Sequence, residues 1–129
     1  MKTLCGVLLL MLLSVACLSQ AEGLNVVAAM EPGECTARMN EMVNTQSKCS
    51  NTDTFIVSQR QNVDNVCQGI NGKMTKPSAQ IFQVVDCTHD RASAYPNCRY
   101  RGNAHTKTKL YLECRNNQAL RFVSAERLN

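Results

Sequence analysis

Apolar residues recur along the chain with two different spacings, and each spacing predicts a different kind of element. In 35–43 and again in 59–67 they recur every three or four positions, which is typical of short helices with one buried side. The segments 52–57 and 79–85 are β-rich apolar runs, and 107–114 alternates polar with apolar positions. These three patterns predict strands, the last of them half-buried.

Turn-forming residues separate these elements and set their predicted order. The sequence limits any helix in 22–34 to a short one that stops before Pro32. Glycine and proline predict a loop over 69–77, and a polar stretch predicts a turn over 100–105. A last strand is expected at 119–123. Three short helices with one strand among them, followed by an antiparallel meander, predict a single α+β domain.

The first 21 residues are predicted to be a signal peptide. One lysine precedes an almost unbroken apolar run over 4–18, and small residues occupy the positions that a signal peptidase reads, so cleavage is expected after Ala21. The apolar run is shorter than the about 20 residues that a membrane-spanning helix needs. The remaining part, 22–129, is expected to be one secreted, extracellular domain.

The cysteines predict a disulfide framework. Of the eight in the chain, Cys5 and Cys17 leave with the predicted signal peptide, and six remain. An even set in a secreted chain predicts three disulfides, and the sequence alone leaves all fifteen pairings open. Zinc explains the cysteines poorly, because there is no Cys-x-x-Cys pair and His89 and His105 lack ligand spacing. No metal or other cofactor is expected.

Charge is divided unevenly between the two halves of the predicted domain. Residues 22–66 hold three Lys or Arg against six Asp or Glu, a net of −3, whereas 67–129 hold ten against four, a net of +6. A basic half favours a polyanionic partner such as RNA, a glycosaminoglycan or an anionic membrane surface. The alternative is a solvated sheet face whose charges serve solubility alone.

Cysteine spacing and local sequence agree with one known family at several separate points. Matching intervals of fourteen, eighteen and eleven positions run from Cys35 to Cys49, from Cys49 to Cys67 and from Cys87 to Cys98. Asp53-Thr54-Phe55 matches the family's Asn-Thr-Phe except that Asp53 replaces the asparagine. The stretch 95–98 reads Tyr-Pro-Asn-Cys, as it does in the family. The stretch 114–122 is similar to the family's last strand, especially in its short amphibian form. The chain thus resembles the pancreatic-type ribonuclease superfamily.

This resemblance implies a fold and a disulfide pairing. The family fold has three short helices around a curved antiparallel sheet. Its framework pairs Cys35 with Cys87, Cys49 with Cys98 and Cys67 with Cys114, and the optional fourth bridge is absent, as in angiogenins and amphibian ribonucleases. In the pancreatic enzymes the peptide that corresponds to Tyr95-Pro96 is cis. The chain is also expected to be a monomer.

The same resemblance implies that the catalytic residues are lost. Family members cleave RNA with two histidines as general base and acid and a lysine that stabilises charge on the phosphate. Here 22–34 contains no histidine, Ser50 stands at the lysine position and Arg121 at the second histidine position. Arginine stays protonated at any relevant pH, so it binds phosphate but cannot shuttle a proton. His89 and His105 are expected to be exposed loop histidines rather than substitutes.

A binding surface remains in this interpretation. Thr54 matches the threonine with which the family reads a pyrimidine base through its main chain and hydroxyl, although a strand threonine is often simply structural. Five cations are expected to line or flank the phosphate cleft: Arg121, Lys107, Lys109, Arg99 and Arg101. Strand alternation predicts Lys107 and Lys109 on one face, opposite the apolar residues of the same strand.

Three functions are compatible with these observations. The leading hypothesis is a secreted pseudoenzyme of the ribonuclease family whose basic carboxyl half binds nucleic acid, another polyanion or a receptor. The second is a weak ribonuclease that cleaves RNA after pyrimidines. The third is a cationic host-defence protein that disrupts anionic microbial membranes without catalysis.

Overall fold

The structure is a computed structural model that describes residues 23–44 and 47–128. In chain order the elements are β1 (Asn25–Val27), a 3-10 segment (Pro32–Glu34), α1 (Cys35–Met42), β2 (Thr52–Val57), α2 (Arg60–Asp64), a second 3-10 segment (Asn65–Cys67), β3 (Lys73–Pro77), β4 (Phe82–His89), β5 (Tyr100–Arg115) and β6 (Gln118–Arg127). The predicted signal peptide over 1–21 lies outside the described residues. No helix in the described part is long and apolar enough to cross a membrane.

The described strands form one sheet that is built around β5. The first half of β5 pairs antiparallel with β4, and its second half pairs with β3 on one edge and with β6 on the other. β2 pairs antiparallel with β4, and the short β1 adds a parallel strand at the outer edge of β2. A register shift between Phe82 and Val84 marks a bulge, which increases local twist and curves the sheet.

The sheet buries side chains on both of its sides, because neighbouring residues of a strand point in opposite directions. On one side Ile56 and Val84 belong to a core that extends to the end of α2. On the other side Phe55 and Val85 pack with Met39 of α1. All five side chains have no exposed surface. Burying a side chain of this size contributes about 1.5–3 kcal/mol, so β2 and β4 are fixed firmly at the centre of the molecule.

Three disulfides join the helices and loops to the sheet. They pair Cys35 with Cys87, Cys49 with Cys98 and Cys67 with Cys114, which are the pairs that the family resemblance implies. The sequence separations are 52, 49 and 47 residues, and closing a loop of that length stabilises a fold by about 4 kcal/mol in the chain-entropy model. The peptide between Tyr95 and Pro96 is cis.

The α+β class with a curved antiparallel sheet is confirmed, but the helices differ from the prediction. The described residues contain two α-helices and two 3-10 segments rather than three helices. No helix forms in 23–31, where β1 pairs with β2 instead. Two consecutive β-branched residues, Val26 and Val27, favour this strand, and Pro32 opens the 3-10 segment that follows.

Two segments for which the sequence predicts loops are strands. The region 69–77 contains β3, an edge strand whose pairing partner is β5, and Pro77 is tolerated because it lies at the end of an edge strand. The turn predicted over 100–105 is also wrong, since these residues begin β5 and pair with β4. Gly102 is not a turn residue there. It lies so close to the Pro32 carbonyl group that no side chain would fit.

Candidate functional site

Thr54 lies in the middle of β2, and only 8% of its surface is exposed. It is directly opposite Asp86 of β4, and its hydroxyl donates a hydrogen bond to Asp86 Oδ1 at 2.7 Å. Arg127 Nη2, at the end of β6, donates to the same hydroxyl oxygen at 3.3 Å. A hydroxyl has only one proton to donate. The Thr54 hydroxyl donates it to Asp86 and accepts one further bond, from Arg127.

Arg127 is held in place by Asp86. Its Nε donates to Asp86 Oδ2 and its Nη2 to Asp86 Oδ1, both at 2.7 Å, which is a bidentate ion pair. His105 Nε2 lies 3.2 Å from the same Oδ2. Burial tends to raise the pKa of Asp86, but the hydrogen bonds from Arg127 and Thr54 outweigh it and hold that pKa below its usual value. The hydrogen bonds to Asp86 raise the pKa of Arg127 in turn. This clasp of Thr54, Asp86, His105 and Arg127 is therefore mutually stabilised.

The main-chain N–H of Thr54 is also occupied. It donates to Oδ1 of the preceding residue, Asp53, at 2.9 Å. Asn25 of β1 donates to the same oxygen at 3.1 Å. Burial raises the pKa of Asp53, while the bonds from Thr54 and Asn25 lower it in part. β1 thus fixes the Asp53 carboxylate, which occupies the main-chain N–H of Thr54.

Ser50, which the resemblance aligns with the catalytic lysine, lies beside β2 in the loop after α1. Its N–H donates to Asn44 Oδ1 at 2.9 Å, and its carbonyl accepts from the Tyr100 hydroxyl at 2.6 Å. Both bonds use the main chain. A cavity of about 530 Å³ opens beside it, and its lining is mostly polar: Val43, Asn44, Lys48, Cys49, Ser50, Asn51 and Thr52. The position is thus fixed in space but carries a neutral side chain.

Arg121, which the resemblance aligns with the second catalytic histidine, forms an ion pair with a glutamate on the neighbouring strand. It lies opposite Glu113 across β5 and β6, and its Nε and Nη2 both lie 2.9 Å from Glu113 Oε1. Lys73 Nζ lies 3.2 Å from Glu113 Oε2. The hydrogen bonds from Arg121 and then Lys73 lower the pKa of Glu113. The Arg121 side chain is 54% exposed and contacts solvent, so an anion has access to it.

The remaining predicted cations lie on two faces of the sheet. Arg101 is opposite Thr88 and shares a face with Asp86, because residues two apart on a strand point the same way. The bulge between β4 and β5 shifts the alternation, so Thr108, opposite Phe82, also shares the face of Asp86, and its neighbours Lys107 and Lys109 lie on the other face. Lys109 Nζ sits 5.8 Å above the Tyr111 ring, and Arg99 precedes β5 in the hairpin loop. The structure does not gather these cations around Thr54.

The two histidines are far apart. His105 is opposite Val84, which lies five residues from His89 on β4, so the histidines are about 17 Å apart along the strand direction. Five is an odd number, so they also point to opposite faces. His89 Nε2 lies 3.1 Å from the Ser93 carbonyl oxygen. Both residues belong to strands rather than to the loops that the sequence predicts.

The described residues offer no donor set for a metal ion, since no group of three or more His, Cys, Asp or Glu side chains comes together in 23–44 or 47–128. Each of the six cysteines described is bonded to another. The carboxylates nearest to the candidate site, Asp53, Asp86 and Glu113, are all engaged by donors from this chain.

The fold and the site define a class, a small disulfide-linked α+β domain of the ribonuclease type. A family model described as "Pancreatic ribonuclease" matches residues 21–124. The chain belongs to the pancreatic ribonuclease family. It is 31% identical over 80 residues to angiogenin from Oryctolagus cuniculus, which covers 59% of this chain and 53% of that protein. It is 31% identical over 88 residues to ribonuclease 4 from Bos taurus, which covers 64% of this chain and 58% of that protein.

Solved structures agree with this assignment. Zebrafish RNase5 superposes with a TM-score of 0.65 at 26% identity, covering 78% of this chain and 86% of that one. SS-RNase-2 superposes with a TM-score of 0.66 at 26% identity, covering 81% of this chain and 92% of that one. The matches to the two curated relatives, by contrast, span little more than half of their length.

Sequence reasoning missed three residues that define the site. Asp86, Arg127 and Glu113 each engage a residue that the sequence singles out. Asp86 lies opposite Thr54 in the register of β2 and β4, and that pairing does not follow from the order of the residues. Arg127 gave no signal either, since its side chain reaches Asp86 across the face of the sheet and not along a paired strand.

Proposed function

We propose that the chain is a secreted, non-catalytic member of the pancreatic ribonuclease family that binds a polyanion, such as RNA or a glycosaminoglycan, through its basic carboxyl half. The observation that carries this proposal is Arg121, a solvent-accessible guanidinium at the position where the family places its second histidine. It retains the affinity for phosphate and lacks the proton chemistry.

Proton transfer has no carrier at the family's positions. General acid and base groups each accelerate a reaction by about 10²- to 10⁴-fold, so losing both removes most of the rate. An arginine is protonated at any relevant pH, so Arg121 can neither take up nor release the proton that the reaction requires. Ser50 supplies no positive charge to a phosphate. The described part of the amino-terminal segment, 23–34, contains β1 and no histidine.

His89 and His105 do not replace the missing pair. A general acid and a general base must both reach the reacting atoms at hydrogen-bond distance, and a separation of about 17 Å on opposite faces prevents this. His105 is also engaged with Asp86. This geometry argues against the weak-ribonuclease alternative.

The cations of this surface differ in how freely they can bind a phosphate, because some of them already pair with a carboxylate of the chain. Arg121 and Lys73 share the carboxylate of Glu113, so part of their charge is neutralised. Lys107 and Lys109 form no ion pair with any carboxylate in the described residues. Leu128 N–H donates to the main-chain carbonyl of Lys107, and this bond does not involve the lysine side chain. We infer that these two lysines, with Arg121 on the same side of β5, contribute most to polyanion binding.

The test is cleavage of a fluorogenic pyrimidine-containing RNA by the refolded protein, beside a Ser50→Lys, Arg121→His double variant. We expect no turnover by the wild type together with RNA binding at low salt. Purified wild type that cleaves RNA would overturn the non-catalytic proposal. Leakage of anionic vesicles, with no RNA or heparin binding, would instead favour the host-defence alternative.

A further inference from the structure

Thr54 carries two polar groups that lie side by side, a main-chain N–H and a side-chain hydroxyl. Together they complement a base edge on which a carbonyl oxygen adjoins a ring nitrogen, as in uracil or cytosine. Adenine has no such carbonyl. For an external base to be read, both groups of Thr54 must be open to it.

Neither group is free for a base in this chain. The N–H donates to Asp53 Oδ1 at 2.9 Å, and the hydroxyl donates its one proton to Asp86 and accepts from Arg127 at 3.3 Å. The hydroxyl oxygen keeps one lone pair, but only 8% of the Thr54 surface is exposed, so a base has little access to it. Each bond involves a charged partner, and charge-assisted hydrogen bonds are roughly twice as strong as neutral ones. An incoming base, which is neutral, would have to displace two ionised groups of the chain itself.

Both covering groups are anchored by other elements. Asn25 of β1 holds Asp53 Oδ1 at 3.1 Å, and the two 2.7 Å bonds to Asp86 hold Arg127. The covering groups therefore come from β2 and β6, and their anchors from β1 and β4. Thr54 itself is more than nine-tenths buried beneath them.

We propose that Asp53 and Arg127 are specificity-determining residues that close Thr54 to an incoming base, so that this chain binds nucleotides through their phosphate without reading the base. The phosphate part of this statement rests on the proposed function, whereas the closure of Thr54 does not. The ligand class is thus a polyanion of any base sequence, rather than pyrimidine-rich RNA.

The experiment is an NMR titration of the ¹⁵N-labelled, disulfide-bonded protein with uridine monophosphate and with adenosine monophosphate. In the wild type we expect dissociation constants that agree within about twofold and a Thr54 amide resonance that does not move. In an Asp53→Ala, Arg127→Ala double variant we expect uridine monophosphate to bind about fivefold more tightly than adenosine monophosphate, with a shifted Thr54 amide, since one gained hydrogen bond is worth about that factor.

A Glu41→Ala, Arg91→Ala double variant is the charge control, because it also removes one carboxylate and one guanidinium, both from exposed positions outside the clasp. It should behave as the wild type. A wild type that already prefers uridine and shifts Thr54, or a folded double variant that shows no preference, overturns the closure. If the wild type binds neither nucleotide, the proposed phosphate binding fails. The double variant still decides the closure, because an open Thr54 then binds uridine monophosphate by itself.

Discussion

Asp86 joins side chains from three other strands at one carboxylate. Thr54 of β2, His105 of β5 and Arg127 of β6 all lie within hydrogen-bond distance of its oxygens. Its side chain is 23% exposed, so much of this network is shielded from water. An ionised Asp86 accepts bonds from all three partners, whereas a protonated one loses the charge that holds Arg127.

The pKa of Asp86 predicts an acid sensitivity of the fold. Because the pKa is lower in the folded state than the ordinary value of 3.8, the folded chain binds fewer protons than the unfolded chain in this range. The stabilisation is complete above pH 3.8 and is lost as the pH falls through the lower folded-state pKa. We expect the free energy of urea unfolding to fall more steeply below pH 4 in the wild type than in Asp86→Asn.

Other carboxylates titrate in the same range, so the comparison between the two proteins is what isolates Asp86. The pKa of Glu113 is lowered and acts in the same direction, whereas the pKa of Asp53 is raised and acts in the opposite one. Both residues are present in both proteins. Parallel stability curves for the wild type and Asp86→Asn between pH 5 and about 2 would contradict the prediction.

At the scale of elements, β5 shows what local sequence can and cannot specify. The alternation over 107–114 predicts its second half, and the burial of Leu110 and Leu112 follows that pattern. The segment 100–105, which begins Tyr100-Arg101-Gly102-Asn103, has no β-branched residue and favours a turn. It is a strand because β4 supplies a pairing partner along its whole length, which is a tertiary effect that propensity does not contain.

Gly102 is therefore required by close packing. A Cβ there would overlap the Pro32 carbonyl oxygen and lie 2.8 Å from its carbon, and both groups are backbone atoms that cannot rotate away. We predict that Gly102→Ala lowers the free energy of unfolding by about 1–3 kcal/mol, as overpacking does. Urea unfolding followed by circular dichroism measures this.

Gly72→Ala is the matched control, because nothing lies within 4 Å of the position that its methyl group would occupy and its backbone is not in the left-handed region. It should leave the stability unchanged or raise it slightly, since alanine restricts the unfolded chain. Equal stability of the two variants would show that the contact between Gly102 and Pro32 is not needed for the fold.

For the whole molecule, the cysteine framework carries most of the information. The spacing of the cysteines places Thr54, Ser50 and Arg121 at fixed distances from them in the sequence, and the disulfides join the pairs that the resemblance implies. The side-chain contacts at the site are harder to predict from the sequence. The clasp on Thr54 depends on β4 lying between β2 and β5, and on a side chain that crosses the sheet, and neither follows from residue order.

The division of charge between the two halves also belongs to the whole molecule, and it predicts how binding depends on salt. Lysines that neutralise phosphates release condensed counterions, and on a single strand the slope of log K against log salt is about −0.7 per phosphate neutralised. Lys107 and Lys109 lie in the basic half, on the face of the sheet that also carries Arg121 of β6.

We predict that Lys107→Gln, Lys109→Gln makes the slope less steep by about 1.4. Fluorescence anisotropy with a labelled single-stranded RNA, between about 50 and 200 mM salt, measures the slope. Lys76→Gln, Arg91→Gln removes the same charge away from this surface, because Lys76 lies opposite Leu112 on the other face of β5 and Arg91 lies in the hairpin loop, and it should leave the slope unchanged. If both double variants reduce the slope equally, binding follows net charge alone, and β5 provides no particular surface for the polyanion.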